Sequence, residues 1–230
     1  MDSTHLSLRL QAVANYVKKG ARIADIGSDH AYLPAYLARH QQIDYAIAGE
    51  VARGPFDNAK HEIQSQGLAD IVHPRLANGL KAITPDDKID TVIIAGMGGI
   101  LITEILSAGL TQHQRFPNLI LQPNTDEFIV REWLMKHDYT IHSESIVQEG
   151  KHFYEVMMIE QGKQTLSRQD IYFGPVLSKQ KSPTFKARWE KELERIHIIL
   201  LKLRQANKMN TQAYDEWSQR YQEIQEVLNR

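Results

Sequence analysis

The sequence contains no cysteine. This absence excludes disulfide bonds, thiolate metal sites and any mechanism with a cysteine nucleophile, including covalent attack on a pyrimidine ring. The sequence also lacks a run of about 20 apolar residues, the length that a membrane-spanning helix requires, and has no apolar signal core near its start. We therefore expect a soluble protein of the cytoplasm.

Charge is almost balanced overall but unevenly distributed. The 230 residues carry 27 Lys and Arg against 28 Asp and Glu, a net charge of −1. Residues 1–162 hold 14 basic and 20 acidic side chains, whereas residues 163–230 hold 13 and 8. A basic segment of this kind is suited to a polyanion, although an ordinary solvated helix surface explains the same charge.

Five apolar stretches of strand length alternate with helical stretches, after an opening helix with Leu6, Leu10, Val13 and Val17 on one face. This alternation predicts an α/β fold with a parallel sheet. The predicted strands are Arg22 to Gly27, Ile43 to Glu50, Ile71 to Leu76, Ile89 to Gly96 and Asn118 to Pro123.

Two further strands, YTIHSESIVQ and HFYEVMMIEQ, are separated by only three residues, which is hairpin spacing. An antiparallel hairpin therefore closes the sheet. That ending is typical of a class I methyltransferase, whose sheet is Rossmann-like, and not of a dinucleotide dehydrogenase, which continues with a second βαβ half.

The pattern changes after Pro175. Ser182 and Pro183 are a typical helix start, and apolar residues then recur at spacings of three and four in two stretches joined by NKMNT. They predict an antiparallel helical hairpin of coiled-coil type. We expect a catalytic domain at residues 1–162 and a basic helical hairpin domain at residues 163–230.

The stretch RIADIGSDH holds the first candidate site residues. Gly27 follows the first predicted strand, where a tight turn lets backbone N–H groups approach a ligand. Asp25 places a carboxylate beside this turn, either to order the loop or to accept from a ligand ammonium. Glu50 ends the second strand, where a carboxylate can accept both hydroxyls of a ribose.

Five spaced motifs together resemble the bacterial TrmK family. These enzymes use S-adenosylmethionine to methylate N1 of adenine 22 in tRNA, and the resemblance extends over essentially the whole chain. It therefore implies the same cofactor and a tRNA partner, with no metal and no membrane partner. The motifs are ADIGSDHAYLP, AGEVARGP, RLANGL, IAGMGG and LQPN.

The resemblance implies how the cofactor is held. The Asp-x-Gly turn would hold its methionine part, the acidic residue after the second strand its ribose, the third loop its adenine, and the fourth motif would lie beside the transferable methyl. At two positions of the first motif where the family usually has glycine, this sequence has Asp29 and Ala31 instead. The implied cofactor contacts are Asp25, Gly27, Ser28, Asp29, Glu50, Asn78, Gly79, Ala95, Gly96, Met97, Gly98 and Gly99.

The resemblance indicates fewer residues for the target base than for the cofactor. The Asp/Asn-Pro-Pro-aromatic box, found in many methyltransferases that modify amino groups, is absent from the fourth strand. N1 of neutral adenine already carries a lone pair, so in-line transfer requires no general base and no covalent intermediate. The residues assigned to the reacting centre are His30, Gly96, Met97, Gln122 and Asn124.

Several of these assignments have alternatives. His30 is a base-contacting donor, a proton carrier or a loop residue, and Asn124 either contacts the base or begins the next helix with Thr125 as a possible cap. His5 and Arg9, on the first helix, either flank the mouth of the same site or have a solvent-exposed role, and we favour the exposed role.

The basic hairpin then provides candidate contacts for the phosphates of tRNA. Two other functions fit the same sequence: a small-molecule or protein methyltransferase whose hairpin dimerises, and a non-catalytic RNA-binding protein that kept the fold. We expect a monomer or weak dimer. The candidate RNA contacts are Lys179, Lys181, Lys186, Arg188, Lys191, Arg195, Lys202, Arg204 and Lys208.

Overall fold

The computed structural model describes residues 5–229. Seven strands form one sheet in the order β3-β2-β1-β4-β5-β7-β6. The pairs among β1 to β5 are parallel, and β7 runs antiparallel to both β5 and β6. The predicted α/β sheet with a closing hairpin is confirmed. The strands are β1 (Ala21–Ile26), β2 (Ile43–Glu50), β3 (Val72–Leu76), β4 (Thr91–Gly98), β5 (Asn118–Thr125), β6 (Tyr139–Glu149) and β7 (His152–Gln161).

Helices connect the parallel strands, and 3-10 turns at Gly79–Ala82 and Pro85–Asp87 lead from β3 to β4. No helix among residues 5–229 is long and apolar enough to cross a membrane. The α-helices described are α1 (Leu8–Ala14), α2 (Tyr32–Arg39), α3 (Arg53–Ser65), α4 (Gly99–Thr111), α5 (Glu127–Lys136), α6 (Arg168–Phe173), α7 (Leu177–Gln180), α8 (Pro183–Gln205) and α9 (Gln212–Asn229).

Side chains of the central strands alternate between two hydrophobic clusters on opposite faces of the sheet. In β1, Ile23 packs in one cluster and Ala24 in the other. Ile93 and Ile94 of β4 divide in the same way. Helices α1 to α3 cover the first face, and α4 and α5 cover the second. The carboxyl ends of β1, β2 and β4 are thereby held at one edge of the sheet.

Strands β4 and β5 extend past their predicted ends at Gly96 and Pro123. The pairing of Ala95 with Gln122 is followed by that of Met97 with Pro123, so Gly96 is an extra residue in β4. Such a bulge bends a strand and is common next to active sites. Gly96 has a φ of +82°, a conformation that glycine adopts without strain.

A buried ionic cluster lies between α5 and the β6–β7 hairpin. The side chains of Arg131, Glu144 and Glu155 are fully buried, and Arg131 pairs with both carboxylates. Arg131 also donates from Nη1 to the carbonyl oxygen of Ile171 over 3.1 Å. Burial lowers the pKa of Arg131, but the two carboxylates outweigh this effect and raise it above its ordinary value. The guanidinium therefore stays charged.

The described chain divides into two compact units, with the boundary between Pro175 and Val176. The charge distribution of the sequence predicts a boundary after Gly162 instead. The intervening segment belongs with the first unit because Leu166 and Ile171 pack in the hydrophobic cluster beneath α4 and α5.

The second unit contains the predicted helical hairpin. Ser182 caps α8 by accepting from the N–H of Phe185 over 3.2 Å. Glu192 lies 3.8 Å from Arg220 near the far end of the hairpin, and Arg204 donates to the hydroxyl of Tyr214 near the loop, so α8 and α9 are antiparallel. The residues buried in these two helices are Phe185, Trp189, Ile196, Leu200, Ile224 and Val227.

Candidate active site

A cavity of about 280 Å³ opens at the carboxyl ends of β1 and β4. It lies where ligands bind in open α/β sheets. Both polar side chains and apolar ones from α1 and α2 surround it. The lining residues are Arg9, Leu10, Asp25, Gly27, Ser28, Asp29, Tyr32, Leu33, Ala95, Gly96 and Met97.

The turn after β1 forms one wall of this cavity. Gly27 has a φ of +73°, and its N–H donates to the carbonyl oxygen of Gly49 over 2.9 Å. Ser28 donates from Oγ to Asp25 Oδ2 over 2.6 Å. The N–H of Ser28 also donates to the carbonyl oxygen of Gly49, over 3.2 Å, so these bonds fix the loop against β2.

Asp25 is an unusual carboxyl because only 4% of its surface is exposed. Burial raises its pKa to about 7, with the nearby Glu50 acting in the same direction and Ser28 and Arg9 opposing. A carboxyl in this condition gains a charge readily when a cationic group approaches. A ligand ammonium would be such a group.

Three successive residues in the next part of the loop have left-handed backbones. The φ angles of Asp29, His30 and Ala31 are 40°, 41° and 56°. The resemblance implies glycine at positions 29 and 31, and glycine is the residue that adopts this left-handed backbone without strain. The strain is localised at the cavity wall, as is frequent at functional sites.

His30 lies in this strained loop with both ring nitrogens next to polar atoms. Nδ1 is 2.7 Å from Asp29 Oδ1, and Nε2 is 3.2 Å from Asn58 Nδ2. The ring stacks on Tyr32 at 5.2 Å between centroids. These contacts orient the imidazole within the loop, and contact between His30 and a base stays a prediction.

Glu50 ends β2 beside this loop and is 6% exposed. Its Oε1 accepts from the N–H of Asp29, and burial is the main cause that raises its pKa. The carbonyl oxygen of Glu50 accepts from the N–H of Ala77 over 2.7 Å, which brings the end of β3 close. Asn78 and Gly79 follow there, with Asn78 exposed.

Gly96, in the bulge, is held by two side chains of β5. Its N–H donates to Gln122 Oε1 over 3.1 Å, and its carbonyl oxygen accepts from Asn124 Nδ2 over 2.7 Å. Asn124 lies in β5, and α5 begins at Glu127, so the interpretation of Asn124 as a helix start is wrong. Gln122 is fully buried and makes its contacts inside the protein.

Arg9 contradicts the expectation of a solvent-exposed side chain. It is partly buried, lines the cavity and donates from Nη1 to Gln122 Oε1 over 2.6 Å. His5 is exposed as expected. A signal for Arg9 was present in the sequence, since it lies four residues before Val13 and therefore on the buried flank of α1.

Directly after β4, Gly99 has no room for a side chain. A Cβ on Gly99 would lie 2.4 Å from the carbonyl oxygen of Asp126, and one on Gly98 would lie 3.4 Å from Thr125 Oγ1. Gly99 therefore allows α4 and the start of α5 to approach closely. The contact of a Cβ on Gly98 would be an ordinary one, so the steric requirement for glycine lies at Gly99, two residues after the cavity residue Met97.

Residues 23–228 match the family model for TrmK, tRNA (adenine(22)-N(1))-methyltransferase. The chain belongs to the TrmK family. It is 38% identical to the tRNA (adenine(22)-N(1))-methyltransferase of Bacillus subtilis, over 100% of this chain and 99% of that protein.

Solved structures agree with this membership. A Streptococcus pneumoniae protein assigned as a tRNA (m1A22) methyltransferase is 42% identical and superposes with a TM-score of 0.93, over 97% of this chain and 100% of that one. That protein has also been solved with S-adenosylmethionine. TrmK of M. capricolum, solved with S-adenosylhomocysteine, is 32% identical with a TM-score of 0.86, over 97% and 98%.

The cavity of this TrmK chain fits such a cofactor. It combines a backbone turn without a side chain at Gly27, a buried carboxyl at Asp25 that a cation would ionise, and a guanidinium at Arg9. Glu50 lies next to it at the end of β2. The cofactor's amino-acid group and ribose carry the complementary charges and hydroxyls.

The candidate RNA contacts all lie in the second unit of the TrmK chain. Most are exposed, while Lys181 and Arg188 are partly buried. Arg195 pairs with Glu192 at 2.7 Å, and Arg204 bonds Tyr214, so both have partners within the hairpin.

Proposed function

We propose that this chain transfers a methyl group from S-adenosylmethionine to N1 of adenine 22 in tRNA, with the cavity at the ends of β1 and β4 as the place of reaction. Membership of the TrmK family is the observation that carries the proposal. The cofactor supplies an electrophilic methyl on its sulfonium sulfur. The residues described above bind the cofactor and orient it and the target base.

The loop after β1 binds the methionine part of the cofactor in this proposal. Asp25 accepts from the ammonium, and Gly27, Ser28 and Asp29 line the space that the methionine part occupies. Glu50 accepts from the ribose hydroxyls, while Asn78 and Gly79 lie along the adenine. Gly98 and Gly99 lie beside the transferable methyl, and the missing side chain at Gly99 lets α4 pack closely against the start of α5.

The target base approaches the bulge of β4. Gln122 and Asn124 hold Gly96 from both sides, so the backbone that faces the reacting atoms is fixed before the base arrives. Met97 lies next to Gly96 in β4, and His30 lies in the loop after β1. No residue has to remove a proton, because the N1 lone pair attacks directly and catalysis consists of alignment.

The second unit binds tRNA through its basic side chains. N1 lies on the Watson–Crick edge, so adenine 22 has to be extruded or held unpaired for the reaction. Contacts with phosphates position the RNA and are sensitive to salt. We also propose that the protein works in the cytoplasm and is a monomer or weak dimer. Gel filtration with and without tRNA tests the oligomeric state.

The deciding experiment is methyl transfer from labelled S-adenosylmethionine to an unmodified tRNA transcript, followed by nuclease digestion and mass spectrometry. A transcript with guanine at position 22 is the control. The proposal expects 1-methyladenosine with the first transcript alone. Failure to label a panel of tRNAs with adenine 22, by a protein that still binds the cofactor, would contradict it and favour a small-molecule or protein substrate.

A further inference from the structure

We propose that the ring of Tyr154, in strand β7, lies against the plane of the target adenine during methyl transfer. The ring thereby aligns the base and stabilises the positive charge that the base acquires. This inference rests on the proposed function, since it takes adenine as the acceptor. It adds a substrate contact from the β6–β7 hairpin, an element with no candidate site residue.

The reaction needs a group that fixes the plane of the base. In-line transfer aligns N1, the methyl carbon and the sulfur, so a base that tilts reacts more slowly. Enzymes that take a base out of its stack hold it between aromatic or apolar side chains. The fourth-strand motif IAGMGG contains no aromatic residue. An aromatic contact at the bulge therefore has to come from another element.

Tyr154 lies beside the side chains that hold the bulge of β4. The guanidinium carbon of Arg9 is 5.7 Å from the centroid of its ring, and Nη1 of the same guanidinium donates to Gln122 Oε1 over 2.6 Å. Gln122 in turn accepts from the N–H of Gly96 over 3.1 Å. One guanidinium and one amide thus connect the ring to the backbone that the base approaches.

The register of the strands supports this placement. Leu121 of β5 pairs with Met157 of the antiparallel β7, and the same register, continued along both strands, places Asn124 opposite Tyr154. Residues that lie opposite each other project from the same face of a sheet. Asn124 donates to the carbonyl oxygen of Gly96 over 2.7 Å. The neighbour of Tyr154 in this register therefore touches the bulge directly.

The ring of Tyr154 is accessible and is not held like that of a core tyrosine. Tyr139 is 2% exposed, and its hydroxyl donates to the carbonyl oxygen of Phe116 over 3.2 Å. Tyr154 is partly exposed, and its hydroxyl has no hydrogen-bond partner among residues 5–229. The ring of His152, 6.2 Å away between centroids, is exposed as well. This end of the hairpin therefore presents aromatic surface to a ligand.

Contact with Tyr154 also suits the charge of the reacting base. Adenine is neutral before the reaction and is a cation once N1 carries the methyl. The π face of a tyrosine attracts a cation. The contact is therefore stronger in the transition state than in the ground state, which is the condition for accelerating the chemical step.

Methyl-transfer kinetics on the tRNA transcript test the inference. For Tyr154→Leu we expect the single-turnover rate at saturating tRNA to fall roughly 10- to 100-fold, as for loss of one base–aromatic stack. Affinity for S-adenosylhomocysteine, measured by calorimetry, should change far less, because Tyr154 does not line the cavity and Gln122 still holds Arg9. Tyr154→Phe keeps the ring and should recover most of the rate.

Tyr172→Leu is the matched control. Tyr172 is also partly exposed, and the guanidinium carbon of Arg168 lies 5.7 Å from the centroid of its ring. Its ring stacks on Phe128 of α5, the helix that covers the other face of the sheet. This variant loses a comparable ring away from the cavity, so it should methylate tRNA at the wild-type rate.

A second test changes the charge distribution of the ring and keeps its shape. Pentafluorophenylalanine can be introduced at position 154 by stop-codon suppression, and its fluorines withdraw electron density from the π face. The single-turnover rate should then fall well below that of Tyr154→Phe. Equal rates for these two proteins would show that the ring does not stabilise a cation, which would overturn the inference.

Two other outcomes would also overturn it. A full single-turnover rate for Tyr154→Leu would leave Tyr32, which lines the cavity and stacks on His30, as the aromatic partner of the base. Equal rate losses for Tyr154→Leu and Tyr172→Leu would assign the effect to stability. A wild-type protein that binds the cofactor but forms no 1-methyladenosine would instead contradict the proposed function before any variant is compared.

Discussion

Gly27 and Met97 face each other so closely that a Cβ on Gly27 would lie 2.1 Å from Cε of Met97. The two residues belong to the turn after β1 and the bulged end of β4, and both line the cavity. The width of the cavity at this point is therefore set by the absence of a side chain at position 27.

Gly27→Ala should weaken binding of S-adenosylhomocysteine at least about tenfold. The new methyl group displaces the flexible end of Met97 into the cavity, and the φ of +73° adds strain of about 1 to 2 kcal/mol. Calorimetry measures the affinity, and thermal unfolding measures the strain.

Gly150→Ala separates these two effects. Gly150 has a φ of +61° in the β6–β7 turn, and no atom among the described residues lies within 4 Å of its added Cβ. This variant should lose stability with unchanged affinity. Equal affinities for Gly27→Ala and wild type would show that Met97 moves aside without entering the binding space.

The pKa of Asp25, raised by burial to about 7 from 3.8, predicts a pH-dependent stability. A carboxyl with a higher pKa in the folded state holds its proton more tightly there. Its stabilising contribution is complete below about pH 4 and is lost as the pH rises through about 7. Compared with Asp25→Asn, wild type should lose on the order of a few kcal/mol across this range, measured by urea unfolding.

The matched control is Asp44→Asn, which removes a carboxyl from an exposed position of β2. A difference between wild type and Asp25→Asn that stays constant from pH 4.5 to 7.5 would contradict the prediction. A wild type that gains stability relative to Asp25→Asn as the pH rises would mean that a cation in the folded protein dominates the environment of Asp25.

Substitution of Lys186, Lys202 and Lys208 by Gln should weaken tRNA binding. All three are exposed in the second unit. If each contacts a phosphate, the slope of log affinity against log salt should become shallower by about 2 to 3. Fluorescence anisotropy at several salt concentrations measures both quantities.

Three lysines of the first unit provide the control with the same charge change. Lys18, Lys88 and Lys136 precede the amino ends of β1, β4 and β6, at the edge of the sheet opposite the cavity. Their replacement by Gln should leave the slope close to that of wild type. Equal losses of tRNA affinity in both triple variants would contradict the proposed role of the helical hairpin in tRNA binding.

Arg131→Met should destabilise the first unit by about 3 to 5 kcal/mol, because it leaves Glu144 and Glu155 buried without their cation. Adding Glu144→Gln and Glu155→Gln should restore most of the loss. Lys136→Met, exposed on the same helix, is the control. If the triple variant is as unstable as Arg131→Met, packing and not charge determines the cost.

The elements of the fold could be predicted closely from the sequence, because apolar runs bounded by turn residues define strands locally. The ends of β4 and β5 could not, since they depend on the bulge at Gly96 and on pairing between the two strands. The boundary between units depends on Leu166 and Ile171, whose burial follows from tertiary packing and not from charge.

The site could be predicted in part. The turn at Gly27 and the carboxylates of Asp25 and Glu50 have local signals at strand ends. The contact between Arg9 and Gln122 joins residues separated by 113 positions, and no local pattern specifies it. The burial of Arg131 is equally nonlocal, since charged side chains are normally exposed and its partners lie on other elements.

The contact between α1 and β5 also sets when a growing chain can acquire this site. Synthesis delivers Arg9 early, but Gln122 emerges much later and Tyr154, beneath the guanidinium, later still. Domains fold as their last necessary segment leaves the ribosome. A nascent chain that ends before β7 thus lacks Tyr154 and cannot complete the cavity wall that Arg9 forms, so we expect full cofactor affinity only after the β6–β7 hairpin has been made.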